Sequence, residues 1–202
     1  MQPDNTASSL FSEMLDSIFR VARKTASTSD IDVFLSRRRL KLLEELGEVS
    51  QAYLDVTGNN LKHKTVDDVL EEQVDTFIVA ADLLIQVGLT MPDVAEQLPE
   101  LKAAMQKHLC RIQAEPPGAD FQQRIFDVAL QLSALALTDN PYLQAIRLYE
   151  KACYLLIQDI KGRSALQDTQ TQAEQAAARL IRRAEMVSTK VEKWERNLKL
   201  AA

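Results

Sequence analysis

Between Ile31 and Val87 the chain has a single break, Thr57-Gly58-Asn59-Asn60, and on each side of it apolar residues recur at the spacing of one helix face. Leu42, Leu46, Val49 and Tyr53 follow at intervals of four, three and four, the period of an amphipathic helix rather than of a strand. Gly58 can take the left-handed conformation that a helix end favours. Thr65, with Asp67 and Asp68 behind it, suits the N-cap of a second helix that runs to about Val87 and stops at Gly88. A connection this short brings the two long helices side by side, and the rest of the chain must cover what they leave open.

The remaining segments carry the same signature. Ser8 to Lys24 reads as an amphipathic helix with Leu10, Phe11, Met14, Ile18 and Val21 on one side, followed by a polar linker in which Ser29 or Asp30 can cap the next helix. Met91 to Arg111 is helical, opened by Pro92 and interrupted near Pro99. Glu115-Pro116-Pro117-Gly118 is the clearest boundary, since such a string cannot continue a helix. Asp120 to Leu137, Tyr142 to about Ile160, closing near Gly162, and Gln167 to Leu198 read as further helices. The last is long and largely polar, so it packs along one narrow face or against a partner subunit. With only 5 glycines and 6 prolines, and an abundance of Ala, Leu, Glu, Gln and Lys, the class is all-α. The expected organisation is an N-terminal helix and linker (1–30), a helical module (31–114) and a C-terminal helical extension (119–202).

A hydrophobic content of 46% is enough to bury a core, which argues against disorder throughout. The net charge of -5 offers no general attraction to nucleic-acid polymers, so none is expected as a partner. No apolar run reaches about 18 residues, and the polar start Met1 to Ser9 lacks the pattern of an export signal. The expectation is a cytoplasmic protein without a membrane association. Cys110 and Cys153 have neither metal-ligand nor redox-motif spacing and read as reduced, packed thiols.

Chemistry enters through two acidic strings, Glu44-Glu45-Leu46-Gly47-Glu48 and Glu71-Glu72-Gln73-Val74-Asp75. On a helix Glu45 lies about 60° from Leu42 and about 40° from Val49, inside the apolar arc, whereas Glu44 points away. Glu72 and Asp75 are about 60° apart, with Asp68, Val79 and Asp82 along their ridge. Glu45, Glu48, Glu72 and Asp75 would therefore face one another between the paired helices. Two like charges about 4 Å apart cost roughly 4 kcal/mol at an effective dielectric near 20. Either these side chains do not converge, or cations neutralise them. Acidic residues are common on helix surfaces, so the spacing alone carries little; the place of Glu45 among apolar residues carries more. Oxygen donors without neighbouring His or Cys suit a hard ion such as Mg2+.

The pattern Glu44-Glu45-x-x-Glu48 followed by Glu72-x-x-Asp75 resembles the signature of the MazG-like all-α nucleoside triphosphate pyrophosphatases. Lys41 to Val49 is similar to that family's first core helix, and Val56 to Asn60 with Asp67-Asp68-Val69-Leu70 is similar to its connection into the second. The resemblance spans about Ile31 to Arg111. It implies a MazG-like helical bundle that cleaves a nucleoside triphosphate to the monophosphate and pyrophosphate with Mg2+, for which Mn2+ could substitute. It implies Glu45, Glu48, Glu72 and Asp75 as metal ligands, Glu45 or Glu48 as the group that orients or deprotonates water, and a homodimer or homotetramer. The C-terminal helices offer another way to close the module, by capping it within one chain.

Arg38 and Lys41, on the side of Glu45 and Glu48, are candidate phosphate contacts, as are Lys102 and Lys107. In that last region the family carries an asparagine and arginines where this chain has Gln106 and Arg111, a departure that bears on sugar and phosphate contacts. Tyr53, Phe77 and the single tryptophan, Trp194, read as packing residues. Glu192-x-x-Glu195 occurs near the C-terminus without a Glu-x-x-Asp partner, so no second catalytic repeat is expected. The rival readings are a catalytically weak helical interaction protein of the same fold and a phosphoribosyl-ATP- or dUTP-type pyrophosphatase.

Overall fold

A computed structural model describes residues 3–25, 31–58, 62–114, 120–158 and 172–200, and among these residues all regular structure is helical. The helices are α1 (Pro3–Thr25), α2 (Ile31–Thr57), α3 (Val66–Leu89), α4 (Pro92–Ala95), α5 (Leu98–Ala114), α6 (Phe121–Leu135), α7 (Pro141–Ile157) and α8 (Gln172–Leu200). No helix among the described residues is long and apolar enough to cross a membrane. The boundary string Glu115 to Gly118, the capping candidates Ser29 and Asp30, Asn59-Asn60 and Gly162 lie outside the described residues.

Helix α3 organises the architecture because it has almost no polar side. From Gln73 to Gly88 every residue except Asp75 is buried, and a helix apolar on all sides has to be surrounded. Helices α2, α7, α1 and α8 supply the cover. Phe11, Met14 and Ile18 of α1, Leu42, Leu46 and Val49 of α2, Leu109 of α5, Leu148 and Leu155 of α7, and Val187 and Val191 of α8 join α3 in one apolar core. The three sequence segments thus share a core, and the C-terminal helices close the α2–α3 pair within one chain. Phe77 is fully buried, while Tyr53 is half-buried and stacks on Phe121 at 4.7 Å. Cys110 and Cys153 are free thiols.

The buried polar groups of α3 have structural partners. Gln73 donates through Nε2 to the carbonyls of Leu155 (2.6 Å) and Gln158 (2.9 Å) at the end of α7, and Arg183 of α8 donates to the Leu156 carbonyl at 2.6 Å. Gln86 donates to the Ala22 carbonyl (2.7 Å) and to Thr25 Oγ1 (2.9 Å) at the end of α1. Helix termini leave carbonyls without intrahelical partners, and these side chains satisfy several of them inside the protein.

Two expectations about glycine are corrected. Gly88 does not stop α3, which continues to Leu89; a β-carbon there would lie 3.1 Å from both Val94 Cγ1 and Leu101 Cδ2, so glycine serves a close approach to α4 and α5. Gly58 does not adopt the left-handed conformation. Its N–H donates to the Leu54 carbonyl at 2.8 Å, and among the described residues the non-glycine residue with positive φ is His63, at 54°. The break near Pro99 falls slightly earlier, with Pro99 the second residue of α5.

Thr65 is the N-cap expected, and it makes a capping box. Asp68 N–H donates to Thr65 Oγ1 at 3.2 Å, while the Thr65 N–H donates to Asp68 Oδ2 at 2.6 Å. Thr65→Ala is expected to lower unfolding stability by about 1 kcal/mol, read as a lower urea midpoint with an unchanged slope.

Candidate metal centre

Burial of Leu42, Leu46 and Val49 fixes the rotation of α2, and burial of Val69, Val74 and Phe77 fixes that of α3. The consequence is that Glu45, only 5% exposed, meets the half-buried Glu72 and Asp75 across the helix pair. One carboxylate oxygen from each of Glu45, Glu72 and Asp75 lies within 4.8 Å of the others, and this triad could hold a metal ion. Glu48, the fourth expected ligand, lies outside that set and is exposed at the rim of the adjoining cleft. Glu44 and Glu71 are exposed.

The triad is costly to keep charged. Burial pushes the Glu45 carboxyl above its ordinary range, Lys41 opposes this, and the charges of Asp75 and Glu48 add to it. Glu72 is pushed up in the same way by burial first, then by Glu48 and Asp75, against the pull of Lys190 and Lys64. The chain answers with one ammonium group per carboxylate. Lys41 Nζ lies 2.7 Å from Glu45 Oε1, Lys64 Nζ lies 3.7 Å from Glu72 Oε1, and Lys190 pairs with Asp75. The sequence posed a choice between non-convergence and an external cation; lysines from α2, the α2–α3 connection and α8 supply a further solution.

Arg38 and Lys41 both border the site, in different roles. Lys41 also reaches Glu44 at 3.1 Å, and its ammonium is stabilised chiefly by the hydrogen bond it donates to Glu45. Arg38 Nε lies 2.9 Å from Oδ2 of the fully buried Asp82, a charge contact without an aligned hydrogen bond. Its guanidinium also sits over the rings of Phe34 (5.3 Å) and Trp194 (5.5 Å). Asp82 is thus the buried partner of Arg38 rather than a member of the triad. Lys102 instead pairs with Asp16 of α1 at 2.5 Å, Gln106 donates to the Ser8 carbonyl at 2.8 Å, and Lys107 is exposed on α5. Neither Lys102 nor Lys107 lines the acidic cleft.

That cleft encloses about 920 Å³. Lys41, Glu45 and Glu48 of α2 and Glu71 and Asp75 of α3 form one wall, and Arg182, Met186, Lys190, Lys193 and Trp194 of α8 belong to the other. A recess of about 200 Å³ continues between Arg38, Ile78, Val79, Lys190 and Trp194. A different cavity, about 350 Å³ beside α5 and α7, is lined mainly by apolar side chains and lacks the acidic triad, so the chemistry points to the larger cleft.

The α8 residues escaped the sequence reading. Trp194 is half-buried at the acidic site rather than simply packed, and Glu195 of the discarded repeat pairs with Arg20 and Lys24 of α1. A signal was present: Val187 and Val191 set the buried ridge of α8, and Lys190 and Trp194 are spaced one turn apart beside it. No protein-family profile matches the chain, and comparison with curated proteins and with solved structures gives no significant match either.

The Arg38–Asp82 pair has a consequence for stability. Burial pushes the Asp82 carboxyl up to about 6, against the pull of Arg38 and the hydrogen bond from Gln86. Because the folded value exceeds the unfolded one, ionised Asp82 is a penalty that is fully present above the folded value and fades as pH falls towards the unfolded value. Arg38→Met leaves that charge buried and unpaired. It is expected to destabilise the fold by about 3 kcal/mol at neutral pH, and urea unfolding near pH 5 is expected to show a smaller loss than near pH 7.5, because the carboxyl is then largely protonated in the fold.

Proposed function

We propose that the chain is a magnesium-dependent nucleoside triphosphate pyrophosphohydrolase of the MazG-like all-α type, which cleaves a (d)NTP to the (d)NMP and pyrophosphate. The observation that carries this reading is the convergence of Glu45, Glu72 and Asp75 to within 4.8 Å, with Glu45 and Asp75 at the wall of a cleft that also presents ammonium groups. The donor set suits the ion: all the donors are hard carboxylate oxygens, with no His or Cys among them. The same donors would accept Mn2+.

Glu45, Glu72 and Asp75 hold the metal in this reading. When bound, the metal neutralises phosphate oxygens and makes a water easier to deprotonate. In this reading Glu48, which lines the cleft outside the close triad, takes the proton of the attacking water. As the new P–O bond forms, the anhydride bond between the α and β phosphates breaks and pyrophosphate carries away the electron pair. Lys41 sits beside Glu45, where it can hold a phosphate oxygen during this step. Assembly into homodimers or homotetramers belongs to the same reading.

One observation favours a second reading. Each triad carboxylate already faces a lysine, which is how a helical interaction protein without catalysis would balance the same charges.

Pyrophosphate release from a panel of common and modified triphosphates, with Mg2+ and with a chelator, separates the two. The enzyme reading expects Mg2+-dependent turnover of at least one triphosphate. Glu45→Gln should lower that turnover at least about a hundredfold, as befits loss of a ligand rather than of its support, and Glu48→Gln should also abolish it. In the metal-free protein Glu45→Gln should melt no lower than the parent, because it removes a carboxylate whose ionisation burial opposes. No turnover together with no Mg2+ binding would leave the interaction reading standing.

A further inference from the structure

A triphosphate substrate needs cations along its phosphates and a surface for its base, and α2 and α3 supply little of either. Of the four basic residues that the sequence singles out, Arg38 is committed to Asp82, while Lys102 and Lys107 do not line the cleft. The opposite wall has what is missing. Lys190 and Lys193 bring positive charge to it, with Arg182, which pairs with Asp67 at 2.5 Å, and the acidic Glu185 further along, and Trp194 brings the only indole in the chain. Trp194 borders both the cleft and the recess behind it. The wall is well anchored, since Val187 and Val191 are fully buried and Glu195 pairs with Arg20 and Lys24 of α1.

The order along α8 has a direction. Trp194 lies one turn, about 6 Å, beyond Lys190, and Arg182 lies about 12 Å before it. A base at Trp194 would place a triphosphate along Lys190 and towards Arg182, parallel to the acidic wall. Lys190 is the cation that pairs with Asp75 and also donates to the Glu71 carbonyl at 3.3 Å. A divalent ion taken up by Asp75 competes for the same carboxylate charge, and a displaced ammonium then faces the cleft, where phosphate oxygens are its natural partners.

We infer that α8 is the substrate-binding wall of this site, supplied by the same chain: Lys190 exchanges Asp75 for the phosphates of a metal-bound nucleoside triphosphate, and Trp194 stacks its base. The inference rests on the pyrophosphohydrolase reading and deepens it, because α8 lies outside the segment that resembles the MazG-like module. Lys190 is a binding residue with two successive partners. Its removal should therefore weaken the nucleotide without weakening Mg2+, whereas loss of a purely structural ion pair would not single out the nucleotide.

The test uses the full chain. Mg2+ alone, and then an α,β-imido nucleoside triphosphate with Mg2+, are titrated calorimetrically, and the emission of the single tryptophan is followed in the parent. The nucleotide analogue should shift Trp194 emission beyond the change caused by Mg2+. Lys190→Met should weaken the analogue about tenfold without weakening Mg2+, and Lys190→Arg should restore analogue binding. Trp194→Ala should weaken the analogue about tenfold, whereas Trp194→Phe retains most of the affinity. Unchanged helical circular dichroism in these variants keeps the comparison one of binding.

If the parent binds the analogue and turns over a triphosphate while Lys190→Met and Trp194→Ala bind as the parent does, the α8 assignment is overturned and the pyrophosphohydrolase reading stands. If Lys190→Met weakens Mg2+ and the analogue equally, the exchange is overturned. A parent that binds no triphosphate analogue with Mg2+ overturns both the inference and the reading beneath it.

Discussion

The helix that must be hidden on every side governs the rest of the molecule. An amphipathic helix can rest on one neighbour, but α3 exposes almost nothing between Gln73 and Gly88, and burial of apolar surface at about 25 cal/mol per Å² makes partial cover unfavourable. The chain therefore needs α1, α7 and α8 as much as α2. The short polar interval in α3 brings Glu71 and Asp75 to the wall of the cleft. The site thus occupies the place where the packing around α3 opens.

Electrostatics refines that picture. Converging carboxylates would oppose the closeness that packing imposes on α2 and α3, and the lysines reduce the conflict without removing the carboxylates from water altogether. Lys190 matters most here because it comes from α8, so a helix remote in sequence is coupled through one ion pair to the charge state of the triad. These pairs are partly solvated, and exposed ion pairs contribute modestly. An ammonium held this way can be replaced by a divalent ion far more readily than Arg38 could be taken from the fully buried Asp82.

Much of this was legible in the residues. The period of Leu42, Leu46, Val49 and Tyr53 located α2, the cap at Thr65 located the start of α3, and the angle of Glu45 to its apolar neighbours predicted a buried carboxylate. Three of the four predicted acids meet, since helix periodicity determines which side a residue takes. Glu48 stays outside because the arc read from sequence is wider than the space a few ångströms across in which ligand atoms must meet. The basic partners were less legible. Lys102 and Lys107 were placed by analogy along the chain, whereas contacts between α5 and α1 decide where Lys102 goes. Lys190 and Trp194 depend on how α8 docks, a long-range event that local periodicity does not encode.

Gln73 has an implication that its hydrogen bonds only hint at. It sits between Glu72 and Asp75 in sequence, yet its amide reaches the far side of α3 and binds the end of α7. A helix held by apolar contacts alone is free to roll slightly about its own axis. Two hydrogen bonds from a buried amide act as a key in a slot, and they set the azimuth of the two acids that project from the same turn. The aim of the acidic cleft is thus controlled from behind, by the C-terminal end of a helix that supplies no residue to it.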